Sequence, residues 1–252
     1  MWGRVAAGIT TRHDRHMAVN LRDVITVLLP GTGSDDDFVY RAFGPALHAA
    51  GAVVVTPPPQ PHRLVDSYRD ALCDAARSGP IAVGGISIGA AVAAEWALSH
   101  PSRVVAVLAA LPAWTGSPDT APAAMAARYS AEMLRREGLA AATAQMQAGS
   151  PQWLADELTR SWLGQWPALP DAMEEAAGFA APTSAAFERL SAPLGVVSAT
   201  DDAVHPLEVG VEWATASPCA ALRTVTLDAI GADPAVLGAE CLAALQDATH
   251  RA

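Results

Sequence analysis

Six residues, Gly84-Gly85-Ile86-Ser87-Ile88-Gly89, restrict what this chain can fold into more than any others. They stand between the short apolar run Ile81-Ala82-Val83-Gly84 and an alanine-rich stretch of helical character from Ala90 to Ser99. The pattern is G-x-S-x-G, with Gly85 and Gly89 two residues before and after Ser87. Glycines there remove the side chains that would collide where a strand turns sharply into a helix. A turn of this kind holds its central residue in a strained conformation. It pushes the Ser87 hydroxyl out beyond a sheet edge, towards whatever binds there.

Other short apolar runs recur along the chain, at Val24–Leu29, Ala52–Val55, Val104–Leu108, Leu194–Ser198 and Leu222–Leu227. Between them lie stretches with helical spacing, Phe38–Ala50, Leu64–Arg77 and, at the end, Ala235–Ala248. Alternation of this kind predicts βαβ units and a mostly parallel, doubly wound α/β sheet. Ligands gather at the carboxyl ends of such strands, and both Ser87 and the loop Pro30-Gly31-Thr32-Gly33 fall at such ends. From Trp114 to Leu190 the strand signal vanishes and prolines divide an Ala-, Met- and Trp-rich stretch into short helices. The expected division is therefore a disordered extension over 1–20, a core from 21–113 and 191–252, and an inserted helical cap over 114–190.

With 252 residues, one core of this size with an insertion is expected. The net charge of −10 excludes nucleic acid as the expected partner, because phosphate binding needs a basic surface. The three cysteines, Cys73, Cys219 and Cys241, are scattered without C-x-x-C spacing, so neither a disulfide framework nor a metal site is expected. No uninterrupted apolar run approaches the roughly 20 residues of a membrane span, so no membrane partner is expected. The first 20 residues lack the apolar region of a signal peptide, and the expected location is the cytoplasm. Oligomeric state is not legible.

The turn at Ser87, the Gly-rich loop after an early strand, the helical insertion and the late acidic loop Asp201-Asp202 follow in the order of the α/β-hydrolase superfamily. The chain resembles that superfamily from Val24 to Ala248. The resemblance implies that Ser87 attacks a carbonyl carbon and forms an acyl-enzyme, with no cofactor and no metal. It further implies an oxyanion hole made by two backbone N–H groups, those of Ile88 and Thr32. The catalytic acid of the family sits four residues before a proline. Asp202 fits that register with Pro206, and Asp201 lies beside it.

The family's histidine follows the last strand, commonly after a glycine. Here Gly231 is followed by Ala232, and alanine cannot carry a proton. Seven histidines remain to be weighed. His13, His16 and His250 lie near the termini, and His48 and His100 near helix ends away from the expected site. His62, after Pro57-Pro58-Pro59-Gln60-Pro61, is expected at the pocket rim. His205, three residues after Asp202, is the expected general base, held by Asp201, Asp202 or Asp233. Otherwise it packs beside Pro206 and orders its loop.

The expected pocket draws on Gly31, Gly33, His62, Trp114 and Tyr129, and takes a small-molecule apolar acyl or carbonyl compound. Met125, Tyr129 and Met133 are spaced by four and share a helix face, either as packing or as pocket wall. Asp35-Asp36-Asp37 either repel anions at the entrance or cap the helix that follows. Two functions follow: serine-dependent hydrolysis of an ester or thioester, or a triad-deficient site that guides a cyclisation, elimination or rearrangement, or only binds.

Overall fold

The structure is a computed structural model that describes residues 19–251. His13, His16 and nearly all of the expected N-terminal extension lie outside the described residues. Six strands form one parallel sheet: β1 Ile25–Leu29, β2 Val53–Val55, β3 Ile81–Ile86, β4 Val104–Ala110, β5 Leu194–Ala199 and β6 Ala220–Val225. Their spatial order is β2-β1-β3-β4-β5-β6, and every neighbouring pair is parallel. All residues of β3 and β5 are buried, which is why these strands read as continuous apolar runs and not as alternation.

Helices α1 (Asp36–Ala49) and α10 (Ala235–Arg251) cover one face, packing Phe43, Leu47, Leu237 and Leu245 against Leu28, Leu108 and Val197. On the other face lie α2 (Leu64–Ala75), α3 (Ile88–Ser99) and α8 (Leu207–Ala216), with Tyr68, Leu72, Trp96 and Trp213 around Val27, Val83 and Val107. Burying one such large side chain contributes about 1.5–3 kcal/mol. Helix α3 is apolar nearly all round: Ala90, Ala91, Ala93, Ala94 and Ala97 are all buried, which marks a helix enclosed by its neighbours.

Between β4 and β5 the chain forms α4 (Pro122–Ala148), α5 (Gln152–Gln165), α6 (Leu169–Gly178) and α7 (Ser184–Phe187). Helix α4 is interrupted at Gly138, whose φ of 80° takes it out of helical geometry. Ala131, Leu134, Trp162, Leu169 and Met173 give these helices a small core of their own. Polar ties bind them to the sheet layers. Arg41 of α1 holds both Glu157 carboxylate oxygens at 2.7 Å, and Glu175 accepts from the N–H groups of Leu64 and Val65 at the start of α2. Asp35 accepts from Phe38 N–H and so caps α1, the second of the two readings given to the Asp35–Asp37 run.

The chain departs from its sequence pattern after β6. That strand stops at Val225 where the apolar run predicted Leu227, and the expected loop is largely a helix, α9 (Leu227–Ala232). Thr226 Oγ1 accepts from Ala229 N–H at 3.2 Å, and Asp201 Oδ1 accepts from Leu227 N–H at 2.8 Å. Two donors that a helix start leaves unpaired are thereby satisfied. One of the two acceptors comes from a distant loop, which is why local sequence gave no sign of this helix.

Candidate active site

Ser87 joins the end of β3 to the start of α3 with φ 54° and ψ −115°, a conformation that costs a non-glycine residue about 1–3 kcal/mol. The turn is pinned on both sides: Ser87 N–H donates to Ala110 O at 2.9 Å, and Ser87 O accepts from Ala91 N–H at 3.1 Å. The flanking glycines have no room for a side chain. A Cβ on Gly85 would lie 2.3 Å from Leu29 O, and one on Gly89 would lie 2.2 Å from the same oxygen. The end of β1 therefore runs flush against the elbow. It carries the Gly31 loop to within contact of Ser87, since a Cβ on Gly31 would meet Ser87 Cβ at 3.7 Å.

His205 reaches this serine from the loop after β5. Its Nε2 lies 3.1 Å from Ser87 Oγ, and its Nδ1 lies 2.7 Å from Asp202 Oδ2. An ionised carboxylate only accepts, so Nδ1 carries the proton and donates it to Asp202. Nε2 is then left as the acceptor for the Ser87 hydroxyl. The other oxygen of Asp202 accepts from the backbone N–H groups of Val204 (2.8 Å) and His205 (3.2 Å). This is a side-chain-closed turn, and it fixes the histidine backbone with the same carboxylate that orients the ring. Asp201, capping α9, and Asp233, accepting from Ala235 N–H at 2.9 Å, make no bond to His205.

Burial pushes the Asp202 carboxyl upwards, but the hydrogen bond and charge of His205, with the two backbone donors, outweigh it and hold the group below its ordinary value. A carboxyl more acidic in the folded chain than in the unfolded one stabilises the fold above its unfolded value of roughly 4. That contribution is lost as pH falls through the folded value. Asp202→Asn is therefore expected to be less stable than wild type at pH 7, with the gap closing at pH 3. Urea midpoints at the two pH values measure this, and a gap that stays constant with pH would contradict it.

Ser87 and His205 open onto a cavity of about 690 Å³. Its wall combines the sheet edge (Thr32, Ile86) with the inserted helices, chiefly Met133, Met146, Trp153 and Trp162. Among the described residues its acidic side chains are Glu157, Asp201 and Asp202, and no arginine lines it. Tyr129 lines the cavity while half-exposed, and its hydroxyl accepts from the Gln145 amide. Among the described residues, the Thr32 N–H donates to no backbone carbonyl. Ile88 is the first helical residue of α3, whose leading N–H groups have no partner within a helix.

Three expected pocket residues stand elsewhere. His62 projects into solvent and pairs with Asp171 at 3.2 Å, because the turn that carries it runs back over α6. Trp114 is buried in the core beside α3 and donates its indole N–H to Phe179 O at 3.1 Å. Gly33 is behind the wall: with φ 70° it turns the loop, and its Cα faces the Trp162 indole. Leu227, Ile230 and Gln145 line the cavity without having been expected there. The first two belong to the helix that the sequence did not reveal.

Among the described residues no cluster of His, Cys, Asp and Glu is arranged to hold a metal ion, and no helix is long and apolar enough to cross a membrane. A model of the alpha/beta hydrolase family matches residues 1–239. Among solved structures, the chain is similar to MenH from S. aureus, with TM-score 0.70 and 12% identity over 90% of this chain and 94% of that one. It is similar to a carboxylesterase structure from Nitrososphaera gargenis, with TM-score 0.67 and 16% identity over 82% and 83% of the two chains. The enol-lactonase from Burkholderia xenovorans LB400 superposes with TM-score 0.61 and 20% identity over 85% of each. At such identities the likeness is one of fold. No curated protein matches the chain.

Proposed function

Because the chain belongs to the alpha/beta hydrolase family, we propose that it is a serine hydrolase cleaving an ester or thioester with an apolar acyl group. The observation that carries this reading is the relay Ser87–His205–Asp202, with links of 3.1 and 2.7 Å. In it, His205 takes the Ser87 proton as the oxygen attacks the carbonyl carbon, and the imidazolium so formed is steadied by Asp202. The backbone N–H groups of Thr32 and Ile88 receive the negative charge that develops on the carbonyl oxygen. His205 then protonates the leaving alcohol or thiol. A water molecule, deprotonated by the same ring, attacks the acyl carbon and releases the acid together with free Ser87.

The apolar wall, with its Met, Trp and Leu side chains and no arginine, favours a neutral hydrophobic acyl group over an anionic one. The reading of a site without a base rested on Ala232. His205 within reach of Ser87 favours hydrolysis instead.

The test is turnover of a chromogenic acyl ester combined with fluorophosphonate labelling. Wild type is expected to hydrolyse the ester and to take a single label on the peptide containing Ser87, with both signals lost in Ser87→Ala. Undiminished turnover in Ser87→Ala would rule out the covalent mechanism.

A further inference from the structure

The inserted helix α5 grips the second half of the loop that carries Thr32. Gln165, buried near the helix end, donates from Nε2 to Ser34 O at 2.9 Å and to Ser161 Oγ at 2.8 Å. One turn earlier, Trp162 stands edge-on against Gly33, where a side chain would begin 2.8 Å from its Nε1. That indole N–H is buried without a partner among the described residues, so the contact holds by shape alone. Arg160 binds Asp35 through both terminal guanidinium nitrogens, at 2.6 and 3.2 Å. The segment from Gly33 to Asp35 is thus touched residue by residue by α5, and the tie to a backbone carbonyl comes from Gln165.

The loop's internal bonding makes that carbonyl matter. Ser34 N–H donates to Gly31 O at 3.1 Å, closing a turn with Thr32 and Gly33 at its corners. Gly33 has a positive φ of 70° and leaves the turn without side-chain bulk to brace it. A turn braced on one side by Ser87 and touched on the other only by the edge of Trp162, which makes no hydrogen bond, can rotate its central peptides. The Gln165 amide, held in place by Ser161, supplies the hydrogen bond on that side. We propose that Gln165 is a positioning residue: by anchoring Ser34 it aims the Thr32 N–H at the carbonyl oxygen of the substrate. This rests on the serine-hydrolase reading above. It adds that part of the oxyanion hole is set by the insertion and not by the sheet.

Gln165→Met keeps the side-chain volume and removes the donor; Gln165→Glu keeps the shape and puts an anion beside Ser34 O. Both are expected to lower kcat by roughly 10- to 100-fold, less than the loss on removing an oxyanion donor outright, with KM changed less than threefold. An alkyl trifluoromethyl ketone, to which Ser87 adds to leave a tetrahedral oxyanion, is expected to lose affinity by the same factor as kcat. Gln147→Ala, which cuts a 2.9 Å bond between α4 and α5 at Thr159, serves as the control and is expected to retain wild-type kcat. Hydrogen exchange at Ser34 N–H gives a readout independent of turnover, with faster exchange expected in Gln165→Met at unchanged Tm. Wild-type kcat and ketone affinity in both Gln165 variants, or unchanged Ser34 exchange, would overturn the proposal. If the wild type showed no ester turnover the hydrolase reading would fail, and Ser34 exchange would still decide whether Gln165 holds the loop.

Discussion

Replacing His205 by alanine is expected to reduce ester turnover by as much as about a million-fold, the scale seen when a serine relay loses its base. What remains is the rate sustained by binding and the oxyanion donors alone. The size of the effect follows from geometry: the ring accepts from Ser87 on one side and is locked in its tautomer by Asp202 on the other. Among the described residues no second imidazole lines the cavity. Ala232→His in the His205→Ala background is expected to restore nothing, because Ala232 is exposed at the end of α9 and no longer belongs to a strand-following loop. Single-turnover measurements on the single and double variants check both statements. Turnover of His205→Ala within tenfold of wild type would remove this histidine from the mechanism.

Gly89→Ala is expected to have the largest effect on stability. Its new methyl group would sit 2.2 Å from Leu29 O, 2.6 Å from Leu29 C and 2.7 Å from Pro30 O, all backbone atoms of a buried strand end that cannot rotate away. Overpacking of this kind costs about 3 kcal/mol or more, a fall in Tm of about 6–12 °C for a domain of this length. Relief requires β1 and α3 to part, which also pulls the Thr32 loop from Ser87. Fluorophosphonate labelling is therefore expected to fail even at temperatures where the variant is folded. Gly178→Ala, where nothing lies within 4 Å of the added methyl, is the control and should keep its Tm. Equal Tm values for the two variants would contradict the close approach of β1 to the elbow.

The sheet and the serine were legible because each depends on residues adjacent in sequence. Strand runs bounded by Gly and Pro mark β1, β3 and β4, and the glycines flanking Ser87 mark a turn whose crowding is local. The nearness of His205 to the Asp201-Asp202 pair was legible for the same reason, but which carboxylate meets the ring was not, because Asp201 is drawn away to cap α9. What was not legible depends on contacts between distant segments. Helix α9 forms where Asp201, more than twenty residues earlier, caps it. His62 points away because its partner Asp171 lies on α6. Trp114 and Trp162 share a residue type and an insertion, but one is core and the other wall, a difference decided by the packing of α3, α5 and α6. Gln165 has no local pattern at all, as its partner Ser34 lies more than a hundred residues earlier.

The acid and the ring that meet Ser87 ride on four consecutive residues, Asp202 to His205, closed into one turn by the acid's own oxygens. Where acid and base occupy separate loops, each drifts independently and a length change in one leaves the other intact. Here they share one inheritance. A single inserted or deleted residue within the turn dislodges both partners at once, whereas the chain beyond β6 is released from carrying any part of the relay. Under selection, this short segment is expected to be rigid in length and the chain beyond β6 free to diverge, the reverse of the pattern in relatives whose histidine follows the last strand.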